Sequence, residues 1–149
     1  MRWAAYTTVA AVIEDAGRFL VVEERAENGQ PVYNQPAGHL EEGETLLDAV
    51  IRETREETAW GFLPKGLVGI YRWQVPTNGN TYLRFCFHGN CVDHQPEQAL
   101  DSDILRIHWL TRQALESQPE RLRSPMVLRC IDHYLAGSSH PLDMLHELA

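Results

Sequence analysis

Glu53, Glu56 and Glu57 stand at i, i+3 and i+4 of a segment whose apolar residues Leu46, Leu47, Val50 and Ile51 repeat near the helical period of 3.6. This combination constrains the chain more than any other feature. It predicts a helix over residues 45–59, capped by Thr45 and stopped by Gly61 and Pro64. One face is then buried, and a neighbouring face carries three carboxylates with Cβ atoms about 5–6 Å apart. Carboxylates that close repel: at about 6 Å and an effective dielectric near 20, a pair costs roughly 3 kcal/mol before solvent screening. A divalent cation among them removes that cost. Mg²⁺ takes oxygen ligands, retains waters and pairs carboxylates with phosphate oxygens, so the cluster has the chemistry to hold metal against a pyrophosphate. Taken alone, an acidic helix face partly neutralised by Arg52 and Arg55 is also a common solvated surface.

Around this helix the chain reads as short strands. Residues 7–13 are a β-branched, largely buried run. A turn at 15–18 leads to a strand over 19–23, and Asn28-Gly29 marks a tight turn before an extended piece over 32–36. Residues 38–43 read as a glycine-bounded acidic loop. Beyond the helix, strands are expected over 67–73, 82–87 and 104–110, with a turn at 77–80 and a polar loop over 93–102. Thr111 caps a short helix through 115. Ser124-Pro125 opens a last helix to about 135, ended by Gly137. One long helix early and another late predict an α+β or α/β chain, with a mixed sheet between helices. The 149 residues suit a single domain over 1–149 with one core.

The formal net charge of −8 disfavours nucleic-acid polymers and anionic membranes as partners. It leaves a small phosphorylated substrate open, because metal ions bridge two sets of negative charge. No apolar run approaches the roughly 20 residues of a membrane span, and the first six residues carry no signal-type apolar core. The expectation is a cytoplasmic monomer or homodimer. Cys86, Cys91 and Cys130, an odd set without CxxC spacing, argue against a disulfide framework or a structural zinc site.

The full pattern runs beyond the helix: Gly38, five residues, Glu44, seven residues, Arg52-Glu53, two residues, Glu56-Glu57. It resembles the Nudix box, among the more specific short motifs. Thr54 stands where that family has an aliphatic residue, and Ala59 where it has glycine. The second departure predicts that the left-handed helix exit moves to Gly61. Tyr33-Asn34-Gln35-Pro36-Ala37-Gly38 resembles the strand that leads into the box. The resemblance implies a Nudix-like α/β/α sandwich that hydrolyses phosphoanhydride bonds with Mg²⁺, or Mn²⁺ as a substitute. It implies Glu53, Glu56, Glu57 and the Gly38 carbonyl as metal ligands. It also implies that Glu44 pairs with Arg52 or supports the loop, and that Arg52 orients Glu53. Glu53, Glu57 and Asp103 are rival bases, and Asp101 and Glu97 compete with Asp103 for the role of an additional acid.

Stretches at 34–40, 101–104, 122–125 and 141–144 resemble a phosphatase branch of the family. That branch implies nucleoside di- and triphosphates, and the pyrimidine diphosphate precursor of thiamine, as substrates. Candidate substrate contacts are His39 on a phosphate, Tyr33 and Trp73 stacking on a ring, and Arg25, Arg72 and Arg84 as phosphate clamps. For each of these residues an ordinary packing or surface role is the commoner fate. Two other readings stay open. One is a non-catalytic nucleotide-sensing Nudix module, which the complete glutamate set disfavours. The other is a pyrophosphatase acting on ADP-ribose, a dinucleoside polyphosphate or an oxidised nucleotide.

Overall fold

A run apolar at every position, such as residues 9–13, needs cover on both faces, and the first strand has it. In the computed structural model, which describes residues 1–148, β1 (Tyr6–Val12) runs parallel to β7 (Thr81–Val92) and antiparallel to β5 (Ala37–His39). β6 (Gly61–Gln74) pairs antiparallel with β7 and completes a mixed sheet of order β5-β1-β7-β6. A second sheet is built on β3 (Arg18–Arg25), which pairs with β2 (Glu14–Asp15), β4 (Pro31–Asn34) and β8 (Ile104–Leu110). The sheet expected between helices is thus divided in two. Hydrogen bonds from Leu20 N to Ile13 O and from Ala11 N to Pro36 O, both 3.0 Å, tie the halves together.

Period-2 alternation along β1 sorts the core. Val9, Ala11 and Ile13 pack with Ala49 and Val50 of α1 (Leu46–Thr58), while Ala10 and Val12 face Cys130 and Ile131 of α3 (Met126–Leu135). One helix therefore covers each face of the first sheet, as an α/β/α sandwich requires. The short α2 (Arg112–Glu116) is capped by Thr111, whose hydroxyl accepts from Ala114 N.

α1 starts at the expected cap: Thr45 Oγ1 accepts from Asp48 N at 3.0 Å. Its exit differs from expectation. Ala59 itself takes the left-handed conformation, at φ 62°, and its N–H donates to Arg55 O. Gly61 has no positive φ and opens β6. The 5→1 closing bond and Arg55 Nη1, which donates to Ala59 O at 3.0 Å, hold the alanine in place. Thr54, at the aliphatic position of the box, is fully buried and donates from Oγ1 to Val50 O, so its polar atom is satisfied within the helix. Residues 38 and 39, expected in a loop, belong to β5, where Gly38 pairs with Val9. β6 and β7 are longer than the sequence suggests because β6 is an edge strand, where Pro64 is tolerated.

Candidate active site

The cap and the apolar stripe fix the rotation of α1, and that rotation places its carboxylates. Glu53 and Glu57 are 9% and 7% exposed, and Glu56 is more open. Carboxylate oxygens of Glu53, Glu56 and Asp101 all lie within 4.8 Å of one another. Asp101 arrives from the loop before β8, which docks on the helix through Asp101 N donating to Glu56 O at 3.0 Å. Asp103 lines the same cleft but is not part of that group; its main-chain carbonyl accepts from Arg25 N. Glu57 Oε1 accepts from Ala37 N at 2.9 Å. Gly38 follows directly. A Cβ there would fall 2.2 Å from Glu53 Cδ, so only glycine lets β5 approach the carboxylate this closely.

Arg52 ties the acids together. Its Nε and Nη2 donate to the two oxygens of Glu44 at 3.0 and 2.7 Å. Nη1 reaches Glu53 at 2.8 Å and Glu56 at 3.2 Å, and Nη2 also donates to His39 O. The forked guanidinium makes all these bonds at once, which a lysine cannot. The hydrogen bond to Arg52 holds Glu44 below the usual carboxylate range.

The buried acids behave oppositely. Burial pushes Glu53 up to about 6, against Arg52, with Glu56 and Asp101 adding repulsion. Burial pushes Glu57 up to about 9, against the Ala37 N–H, with Glu24, Glu53 and Asp101 reinforcing it. Such carboxylates gain strongly from a cation. Several hard oxygen donors converging without nitrogen or sulfur suit a divalent ion of the Mg²⁺ or Mn²⁺ kind.

These groups open on a cleft of about 940 Å³. Of the residues singled out in the sequence, Gly38, Glu53, Glu57, Asp101 and Asp103 line it, as do Arg25, His39, Trp73 and Arg84. Tyr33 and Arg72 do not, and strand alternation explains both corrections. Val32 and Asn34 flank Tyr33 and face the cleft, so the Tyr33 ring points into the core. There it meets the edge of His108 and lies 4.5 Å below the Arg121 guanidinium. Arg72 is exposed beside cleft-facing Trp73 and so projects from the other side of β6. Arg84 lines the cleft, but most of its donors serve the protein. It is 4% exposed, and its Nη1 and Nη2 donate to Gln35 Oε1 and Asn34 Oδ1.

Glu24 and Arg123 also line the cleft, and no sequence motif singled them out. Glu24 lies one residue past the expected end of its strand and is 9% exposed. Arg123 pairs with it at 3.1 Å. The β3–β4 register, with Glu24 opposite Val32, carries the signal, and no local spacing reveals it.

Residues 5–129 match the family described as NUDIX domain. Phosphatase NudJ of Escherichia coli (strain K12) is 40% identical over 140 residues, which cover 94% of this chain and 90% of that protein. A NUDIX hydrolase from Nitrosomonas europaea superposes with a TM-score of 0.95 at 43% identity, covering 97% of this chain and 98% of the other. The NUDIX domain of Shewanella oneidensis NrtR, solved in complex with ADP ribose, has a TM-score of 0.72 at 18% identity, covering 91% and 90%. At that identity the likeness concerns the fold.

Proposed function

Because the chain belongs to the NUDIX domain family, and so is a hydrolase of phosphoanhydride bonds, we propose that it uses Mg²⁺, with Mn²⁺ as a substitute, to release phosphate from nucleoside di- and triphosphates and related pyrimidine diphosphates. The observation that carries this reading is the convergence of the Glu53, Glu56 and Asp101 carboxylates beside buried Glu57, with Glu53, Glu57 and Asp101 lining one cleft. The resemblance to Phosphatase NudJ over most of both chains supports phosphate as the product.

Glu53, Glu56 and Asp101 would hold the cation, with Glu57 and the Gly38 carbonyl as further ligands. A cation held there would supply the charge that neutralises phosphate oxygens and lowers the pKa of water. Arg52 fixes Glu53 and Glu56 through its Nη1 and anchors itself on Glu44. Glu57 keeps Oε1 on Ala37 N, leaving Oε2 without a protein donor among the described residues. We assign that oxygen to orient the attacking water and accept its proton. Asp103, on the same cleft, is the rival for this role. His39, exposed at the cleft rim, and Arg25 contact phosphate, while Trp73 stacks on the ring. Residues 1–149 act as one catalytic domain. No described helix is long and apolar enough to cross a membrane.

The test is a screen of nucleoside di- and triphosphates, pyrimidine diphosphates and ADP-ribose with Mg²⁺, scoring free phosphate against pyrophosphate. Phosphate as the main product supports the reading. Pyrophosphate as the sole product contradicts it, and ligand binding without hydrolysis would make the chain a sensing module.

A further inference from the structure

The phosphoanhydride chemistry leaves one buried cleft carboxylate unused. Glu24 lies on β3, lines the cleft and stands outside the Glu53, Glu56 and Asp101 group. A relay of hydrogen bonds fixes it. Gln35 Nε2 donates to Val127 O at 2.7 Å, and Arg84 Nη1 donates to Gln35 Oε1 at 2.9 Å. Arg84 Nη2 donates to Asn34 Oδ1 at 3.2 Å, and Asn34 Nδ2 donates to Glu24 Oε2 at 3.5 Å. A guanidinium can only donate, so the relay turns the amide nitrogen of Asn34 toward the carboxylate. Arg123 Nη1 donates to the same oxygen at 3.1 Å. Both partners thus occupy Oε2. Oε1 has no protein donor among the described residues and is not sealed from the cleft. A rigid, largely desolvated acceptor left open is a recognition element, because an unmatched group opposite it goes unpaired.

The same cleft has an aromatic wall. Trp73 and Tyr82 occupy paired positions of β6 and β7, with ring centroids 6.4 Å apart and planes 30° apart. His39 continues the row, 6.2 Å from Tyr82. Heteroaromatic rings stack on such surfaces whatever their substituents, so the wall binds a ring and a polar group must choose it.

We propose that this cleft selects substrates by their ring, which lies on Trp73 and Tyr82 while Glu24 Oε1 accepts a hydrogen bond from an exocyclic amino group. The inference rests on the phosphohydrolase reading, since it concerns the same cleft. Its ligand class is an amino-substituted heteroaromatic ring bearing a di- or triphosphate. A ring with a carbonyl at that position sets acceptor against acceptor and is rejected. Arg84 and Asn34 are positioning residues that hold the Glu24 oxygen in place.

The experiment compares matched pairs that differ in amino against carbonyl, CTP with UTP and ATP with ITP. Turnover is read as kcat/KM for phosphate release with Mg²⁺, and binding of CDP and UDP by calorimetry. The wild-type protein is expected to favour the amino member of each pair by about tenfold or more. Glu24→Gln, which turns an amide N–H toward the ring, should shrink or invert that ratio, whereas a merely structural role would lower both members alike. Equal use and equal binding of the pairs by the wild type, or an unchanged ratio in Glu24→Gln, overturns the inference and leaves the hydrolase reading standing. Preferential binding of CDP with no phosphate released from any compound sustains the inference and sinks the hydrolase reading.

Discussion

At Gly38, a single methyl group is enough to test how the site is packed. Gly38→Ala places a carbon 2.2 Å from the Glu53 carboxyl, so that carboxylate must move. The expected result is a rise in the Mg²⁺ concentration needed for half-maximal turnover, with a stability cost of about 1–3 kcal/mol; an unchanged midpoint would show that the Glu53 position is unimportant. Arg52→Lys keeps the charge but loses the fork that joins Glu44, Glu53 and Glu56. Metal affinity should fall roughly 10–100-fold, with the circular dichroism spectrum preserved. Glu53, Glu56 and Glu57 were legible in the sequence because helical spacing alone brings them to one face. Asp101 was legible only as one of several loop acids, since docking of its loop on α1 selects it. Tyr33 and Arg72 fall outside the cleft lining because a strand residue's face depends on register, and the sequence does not display register.

Among the elements, α1 was the most readable because its start has a cap and its buried face has a period. Its exit was not, because the left-handed residue is an alanine where the rules favour glycine. Ala59→Gly removes that steric penalty and should stabilise the fold by about 1 kcal/mol. For a chain of this size that corresponds to a melting-temperature increase of about 2–4 °C. No increase in a thermal melt would mean that the contacts of the alanine already offset the strain. The two-sheet division was likewise hidden. Strands over 7–13 and 19–23 read alike locally, and only their pairing partners, β7 and β5 for one and β4 and β8 for the other, separate them.

Over the whole molecule, the acidic cleft couples stability to pH and to metal. Burial raises Glu53 to about 6 and Glu57 to about 9, so above the ordinary carboxylate range the folded chain holds protons that the unfolded chain has lost. Stability from these groups is complete below the unfolded pKa and declines as pH rises through the folded values. Glu44 and Asp132, held below the ordinary range by Arg52 and Arg112, act with the opposite sign and only at lower pH. Melts of metal-free protein between about pH 5 and about 9 should therefore decline with pH. Mg²⁺ should raise the melting temperature most at the upper end, and Glu57→Gln should flatten the slope. A slope that Glu57→Gln leaves unchanged would assign it to other groups. The central claim is that the acids of α1, with Asp101, hold divalent metal where a phosphoanhydride meets water. Its most direct test is phosphate release from a nucleoside triphosphate as Mg²⁺ is titrated, in the wild type and in the Glu53→Gln, Glu56→Gln double variant. Saturable release that vanishes with chelator, and a midpoint raised about tenfold or more or turnover lost in the variant, is the predicted result. Release that persists without divalent metal, or an identical midpoint in the variant, would contradict it.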